Sequence, residues 1–116
     1  MHIPKGSPVY SSSDFEIIKD IVISAIPQAE SVYLFGSYAK GTARDQSDID
    51  IAVLLKNDLH WRERNALLNR LYSDMSQRGY NVDFVLKRTD AFRADSQLPT
   101  LSRIILREGK LLWTNN

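Results

Sequence analysis

The chain has 116 residues, of which 43% are hydrophobic and 25% charged, and its formal net charge is +1. This length and composition are typical of one globular domain and leave little room for a second. The near balance of charge argues against a protein that coats nucleic acid, so we expect no direct nucleic-acid binding. The absence of cysteine excludes disulfides, thiolate metal ligands and cysteine nucleophiles.

The N-terminal residues and the hydropathy bear on location. No apolar run approaches the ~20 residues that a membrane span needs, and the first residues lack the apolar core of a signal peptide. We therefore expect a cytoplasmic protein with no membrane partner. Two prolines and a glycine in the first positions predict a flexible lead-in over residues 1–11, and residues 12–116 are predicted to form a single domain.

The first half of the chain predicts a helix, a strand, a turn and a second strand. A helix is expected with Ser12 or Ser13 as its N-cap and Glu16, three residues after Ser13, as a capping-box partner, and it is expected to end before Pro27. The apolar and aromatic run at 31–36 predicts a strand, followed by one helical turn at 38–40 and a polar turn at 41–47. Residues 48–55 predict a central strand that begins with polar residues.

The second half predicts a long amphipathic helix from Trp61 that Gly79 ends, and then a third strand over 81–86. Residues 88–98 are polar and give no clear pattern. A helix is predicted from Pro99 to Glu108, with Leu101, Ile104 and Ile105 on its inner face, and an edge strand follows at 110–113. This order predicts an α/β fold, a small mixed β-sheet with helices mainly on one face.

Three aspartates lie in the second and third predicted strands. Residues i and i+2 of a strand point to the same face, so Asp48 and Asp50 project together and Ile49 points the other way. Asp83 stands between two apolar residues in the third strand. If the two strands are neighbours, three carboxylates converge, and a divalent cation would relieve their repulsion. Oxygen ligands favour Mg²⁺ or Mn²⁺, and such a cluster is a common platform for phosphoryl or nucleotidyl transfer.

A Gly36–Ser37 pair ends the first predicted strand. Glycine lets the backbone approach an anion closely, and the free N–H groups of the following helical turn can bind phosphate oxygens together with the Ser37 hydroxyl. Lys40 and Arg44 follow in the turn, where they are candidates for phosphate contacts or are solvated charges. One end of the fold is therefore predicted to offer donors for a polyphosphate and carboxylates for its metal.

The segment from Phe35–Gly36–Ser37 through Ser47–Asp48–Ile49–Asp50 resembles the signature of the nucleotidyltransferase superfamily typified by DNA polymerase beta. The Gly–Ser-x10-Asp-x-Asp spacing and the short chain are similar to the minimal nucleotidyltransferases, which are often the antitoxin partners of HEPN-domain toxins. The resemblance spans about residues 31–113. It implies that Gly36 and Ser37 hold the nucleotide phosphates, that Asp48, Asp50 and Asp83 bind metal, and that Asp83 can accept the proton of the attacking hydroxyl.

The resemblance implies a magnesium-dependent enzyme that transfers AMP from ATP to a hydroxyl acceptor. The acceptor in the best analogy is a tyrosine of a cognate HEPN ribonuclease toxin, with which the chain would form a hetero-oligomer. Two alternatives stay open. The domain can be a non-catalytic antitoxin that binds nucleotide and acts by contact, or a nucleotidyltransferase of small molecules; intact Asp48, Asp50 and Asp83 count against the first, and the lack of a second substrate-binding domain counts against the second.

Overall fold

The structure, a computed structural model, describes residues 9–115, so predictions that concern residues 1–8 and Asn116 lie outside it. Its centre is a four-stranded sheet whose strands are β1 (Ala29–Phe35), β2 (Ile49–Leu55), β3 (Val82–Arg88) and β4 (Lys110–Thr114). The strand order is β3-β2-β1-β4. β1 is antiparallel to both β2 and β4, whereas β2 and β3 run parallel, so the sheet is mixed as predicted.

Five helices accompany the sheet within the described residues: α1 (Ser12–Ala25), α2 (Ser37–Lys40), α3 (Trp61–Gln77), α4 (Thr89–Asp95) and α5 (Leu101–Glu108). The two long helices α1 and α3 pack on one face and form the main core with the inward residues of β1, β2 and β3. The short helices α4 and α5 bury Phe92 and Ile105 against the other face. The prediction of an α/β fold with a small mixed sheet is confirmed; the two long helices lie on one face, and the short helices α4 and α5 cover part of the other.

Helix α1 begins one residue earlier than the predicted cap allows. Ser11, with extended backbone at φ −122° and ψ 178°, is the N-cap, and its backbone N–H donates to Asp14 Oδ2 at 2.9 Å. The predicted cap at Ser12 or Ser13 with Glu16 is therefore wrong. The Asp14 carboxylate takes the place predicted for Glu16. Its second oxygen accepts a hydrogen bond from Tyr80 Oη at 2.9 Å, which links the start of α1 to the loop after α3.

The polar stretch without a clear pattern contains helix α4. Its seven residues bury one large side chain, Phe92, which stacks on Tyr33 of β1 with ring centroids 5.9 Å apart. A helix of two turns that buries one aromatic residue has too little apolar periodicity to be recognised from sequence.

Within the described residues, no helix is long and apolar enough to span a membrane.

Helix α5 begins at Leu101, with Thr100 rather than Pro99 next to its first turn, and the hydroxyl of Thr100 accepts from Arg103 N. Its predicted inner face is partly wrong. Ile105 is 2% exposed, but Leu101 and Ile104 are 48% and 49% exposed, and buried Ser102 faces the sheet in their place. The side of α5 that carries residues 102 and 105 therefore faces inward. Just after the helix, the chain passes close to β1, since the Cβ position of Gly109 would overlap Ile105 O and lie 3.1 Å from Leu34 O.

The lead-in predicted for residues 1–11 and the domain extent of 12–116 stay predictions, since most of the lead-in lies outside the described range. Of its described residues, Tyr10 belongs to the packed structure. The Tyr10 ring lies 5.9 Å from that of Tyr38 and 5.6 Å from that of Tyr80, and its hydroxyl donates to Gly79 O at 2.8 Å.

On α3, Leu67, Leu71 and Met75 are buried, but Trp61 is 61% exposed beneath the Arg62 guanidinium.

Candidate active site

The end of β1 and the beginnings of β2 and β3 meet at one edge of the sheet. β1 runs antiparallel to β2, which places Phe35 opposite Asp50, and β2 runs parallel to β3, which places Asp50 opposite Asp83. Neighbouring strands lie about 4.8 Å apart, so the residues at these three facing positions are close. The Gly36–Ser37 pair, which directly follows Phe35, is thereby brought beside the aspartates, as the sequence predicted.

Asp50 and Asp83 project from the sheet face that α4 and α5 partly cover. Asp50 alternates with Ile49 and Ile51 of the main core and shares its face with Ala52, whose neighbours include Phe92 and Ile105. Burial raises the pKa of Asp50 above its ordinary value, and the nearby Asp83 and Asp48 carboxylates raise this pKa further. The Asp48 and Asp83 carboxylates therefore lie close enough to Asp50 to raise its pKa.

Asp48 lies just before β2 and is exposed, and its Oδ1 accepts a hydrogen bond from Asn81 Nδ2. Asn81 also links the strands through its backbone, because its carbonyl accepts from Ile49 N at 2.8 Å. The sequence analysis gave Asn81 no role at the site. The pattern Asn81-x-Asp83 has the same two-residue spacing as Asp48-x-Asp50, and in parallel register this spacing brings Asn81 beside Asp48.

Gly36 lies against the Asp50 carboxylate. Its backbone has φ 73° and ψ −154°, a combination that is essentially restricted to glycine. A Cβ at this position would overlap Asp50 Oδ2 and lie 3.0 Å from Asp50 Cγ. Glycine is therefore required twice, for the backbone conformation and for the close approach of the aspartate.

The phosphate-binding segment predicted from Gly36–Ser37 is the short helix α2. It lies between two glycines of positive φ, Gly36 and Gly41, and the Ser37 carbonyl accepts from Gly41 N and from Thr42 N. The first N–H groups of a helix have no partner within the helix, so those of Ser37, Tyr38 and Ala39 are candidates for binding an anion, whereas Lys40 N donates to Gly36 O at 3.1 Å. Ser37 itself is half-buried.

Lys40 and Arg44 are exposed near this turn. Lys40 Nζ lies 3.8 Å from Glu108 Oε1 at the end of α5. Arg44 N donates to Ser47 Oγ at 2.8 Å and its carbonyl accepts from Ser47 N at 3.0 Å, which closes the turn that leads to Asp48. Among residues 9–115, neither side chain forms an ion pair with the three aspartates. Their predicted phosphate contacts stay predictions.

The donor set suits a divalent cation. The pKa of Asp50 is raised by burial and by the neighbouring Asp83 and Asp48 carboxylates. A divalent cation would relieve this repulsion, and carboxylate oxygens favour Mg²⁺ or Mn²⁺. In the described part of the chain, no three histidine or acidic side chains stand in an arrangement that would hold a metal ion as placed. Asp48, Asp50 and Asp83 therefore fit the ion by their chemistry and their common location, and their role as metal ligands stays a proposal.

Donors for an anion, beside carboxylates suited to a metal, are typical of sites that bind phosphate compounds. A family model described as "Polymerase beta, Nucleotidyltransferase" matches residues 16–116. The chain therefore belongs to the polymerase beta-type nucleotidyltransferase family, and the family resemblance found in the sequence is confirmed.

Several relatives are similar to this chain. The protein adenylyltransferase MntA of Shewanella oneidensis is 38% identical over 92 residues, which cover 76% of this chain and 56% of that protein. The chain thus spans about half the length of this curated relative. A toxin–antitoxin crystal structure with AMP-PNP contains a chain that is 34% identical, with a TM-score of 0.62 over 89% of this chain and 74% of that one.

A further solved structure concerns a tri-AMPylated Shewanella oneidensis HEPN toxin in complex with an MNT antitoxin. Its matching chain is 30% identical, with a TM-score of 0.51 over 88% of this chain and 72% of that chain. These relatives are similar to this chain in both sequence and fold, and two of them are described together with a toxin.

Proposed function

We propose that the chain is a Mg²⁺-dependent nucleotidyltransferase that moves AMP from ATP to a hydroxyl group, with a tyrosine of a cognate HEPN ribonuclease toxin as the acceptor. One observation carries the proposal. The Gly36 turn and the aspartates at positions 48, 50 and 83 share one edge of the sheet, where Gly36 has no room for a side chain beside Asp50. The names of the relatives support adenylyl transfer and a toxin partner.

The residues have separate parts in this proposal. The N–H groups at the start of α2, with the Ser37 hydroxyl, bind the phosphate chain of ATP and orient it. Asp48 and Asp50 hold the cation, and Asn81 keeps the Asp48 carboxylate in place through its hydrogen bond. When bound, the ion supplies charge neutralisation for the phosphate oxygens. Mn²⁺ would also suit these oxygen ligands.

Asp83 acts as the proton acceptor in this proposal. It is the second residue of β3, is exposed, and lies opposite Asp50 in the register. In the reaction the acceptor oxygen forms a bond to the α-phosphorus of ATP while the bond from that phosphorus to the bridging oxygen breaks. Pyrophosphate leaves, and Asp83 takes the hydroxyl proton. We propose that this reaction silences the toxin in the cytoplasm.

The test is the intact mass of the cognate HEPN protein that the proposal names as acceptor, after incubation with the chain, ATP and Mg²⁺. Wild type should add one or more AMP increments. Asp83→Asn should lose most of the transfer, since loss of a general base typically costs ~10²–10⁴-fold in rate. Asp45→Asn, an exposed aspartate in the turn before the site, is the control and should react as wild type does.

Two outcomes would contradict the proposal. If wild type adds no AMP yet blocks the ribonuclease activity of the HEPN protein, the chain acts by contact. If Asp83→Asn transfers AMP at the rate of the Asp45→Asn control, Asp83 is not the proton acceptor. In the first case the non-catalytic antitoxin replaces the enzyme as the better account.

A further inference from the structure

Helix α5 exposes an apolar stripe to solvent. Leu101 and Ile104 are 48% and 49% exposed, and Leu98, just before the helix, is 59% exposed. The sequence places Leu101 and Ile104 on the apolar side of the helix, yet the buried side of α5 carries Ser102 and Ile105. We call Leu98, Leu101 and Ile104 the α5 stripe. Exposed apolar side chains that are grouped together and flanked by charged residues are typical of an interaction site.

The α5 stripe leads to the active site. Leu101, Ile104 and Glu108 recur at i, i+3 and i+7, so they share one side of the helix. At 1.5 Å per residue, Ile104 lies about 6 Å and Leu101 about 10 Å along the axis from Glu108. Glu108 contacts Lys40 at the end of α2. A molecule that lies on the stripe therefore reaches the turn that begins at Gly36.

Charged residues flank the stripe on one side. Arg103 and Arg107 line a groove of about 590 Å³ together with Ile104 and Glu108. Neither arginine forms an ion pair with another residue in the range 9–115. Arginine pairs readily with carboxylates in a fixed, two-pronged geometry. The surface thus matches a protein segment that presents aliphatic side chains with carboxylates beside them.

We infer that the α5 stripe, with Arg103 and Arg107, docks the protein that accepts AMP. The inference rests on the proposed function, because a transfer reaction has two substrates and the proposal assigns the nucleotide phosphates to the α2 turn. The acceptor needs a second surface that ends near the same site. The stripe is aliphatic, and its helical part, Leu101 and Ile104, lies within about 10 Å of Glu108 along the axis, which suits a protein segment better than a nucleotide.

The experiment compares Ile104→Ser and Leu101→Ser with Leu106→Ser. Leu106 is the matched control, because it lies on another side of the same helix and is 51% exposed. Binding of the cognate HEPN protein is measured by titration calorimetry, and ATP affinity and melting temperature are measured in parallel. Ile104→Ser and Leu101→Ser should each weaken binding of the HEPN protein about tenfold, as loss of a central apolar contact does. Leu106→Ser should bind as wild type does.

Charge reversal adds a second arm. Arg107→Glu should weaken binding of the HEPN protein, whereas Arg70→Glu, on the exposed side of α3, should not. ATP affinity should stay unchanged in all of these variants. A loss of ATP affinity in Arg107→Glu would assign the groove to the nucleotide and overturn the inference.

Two further results would overturn the inference. The stripe would be a contact between copies of this chain if wild type alone is a dimer in sedimentation and Ile104→Ser is a monomer. It would have no docking role if the stripe variants bind the HEPN protein as the control does. The two proposals fail separately: if the HEPN protein binds through the stripe without receiving AMP, the enzymatic function is wrong and the docking surface stands.

Discussion

Gly36→Ala is the substitution that most directly tests the contact between the turn and the aspartates. The backbone of Gly36, at φ 73° and ψ −154°, lies in a region that costs a residue with a side chain about 1–3 kcal/mol. The new Cβ would also overlap the carboxylate of Asp50, whose Cγ is 3.0 Å from the Cβ position. Asp50 would have to turn away from the position that the site requires.

Gly41→Ala is the matched control. Gly41 also has positive φ, at 76° with ψ 17°, but no heavy atom lies within 4 Å of its Cβ position. Its alanine should cost only the left-handed backbone penalty, about 1–2 kcal/mol. For a domain of this size, each kcal/mol lowers the melting temperature by roughly 4 °C. Both variants should therefore melt earlier, and only Gly36→Ala should lose affinity for ATP with Mg²⁺ in calorimetry.

A double-mutant cycle isolates the collision. In an Asp50→Ala background the carboxylate is gone, so Gly36→Ala should cost only its backbone term, and the coupling energy between the two sites should be of order 0.5–3 kcal/mol. The reasoning is refuted if Gly36→Ala destabilises the fold equally with and without the Asp50 carboxylate. It is also refuted if Gly36→Ala binds ATP as tightly as Gly41→Ala.

Three further predictions concern the site and the core. Because burial and two neighbouring carboxylates raise the pKa of Asp50, the folded state binds its proton more readily than the unfolded chain does. In the presence of a chelator, the contribution of Asp50 to the free energy of unfolding should fall as pH rises from its ordinary pKa through the raised one. Asp50→Asn should remove this fall and be more stable than wild type at neutral pH in urea titrations; a parallel pH dependence in both proteins would refute it. Asn81→Ala should weaken Mg²⁺-dependent ATP binding in calorimetry by freeing Asp48, with the melting temperature nearly unchanged; an unaltered affinity would show that the hydrogen bond has no role. Ile105→Ala should cost about 2–5 kcal/mol in urea unfolding, against roughly 0.5 kcal/mol for Ile104→Ala, and equal costs would contradict the inward face of α5.

The site was predictable from sequence because it depends on strand alternation. Asp48 and Asp50 are two residues apart, and alternation alone fixes their common face. The sequence left open whether the second and third strands are neighbours; the structure pairs β2 with β3 in parallel and sets Asp83 opposite Asp50. The role of Asn81 was not predicted, because its side chain hydrogen-bonds to Asp48 from the segment before the neighbouring strand and contributes nothing to a hydropathy pattern.

The fold was predicted less well where a few contacts decide the outcome. The seven residues of α4 bury only Phe92 among their large side chains, so their apolar period is too weak to indicate a helix. The apolar residues of α5 indicate a helix, but they do not show which side of it meets the sheet, because Leu101, Ile104 and Ile105 are all apolar and only Ile105 is buried. The side that faces inward is set by packing against residues distant in the chain, which has no signal in the local sequence.

The central claim is that the three aspartates and the Gly36 turn transfer AMP from ATP, and the position of the transferred phosphorus tests it most directly. The chain and the HEPN protein are incubated with Mg²⁺ and ATP labelled with radioactive phosphorus, at the α-position in one reaction and at the γ-position in the other. The account predicts that the α-label enters the HEPN protein, that the γ-label leaves as pyrophosphate, and that Asp48→Asn/Asp50→Asn abolishes the transfer. Incorporation of the γ-label, or of neither label, would contradict it.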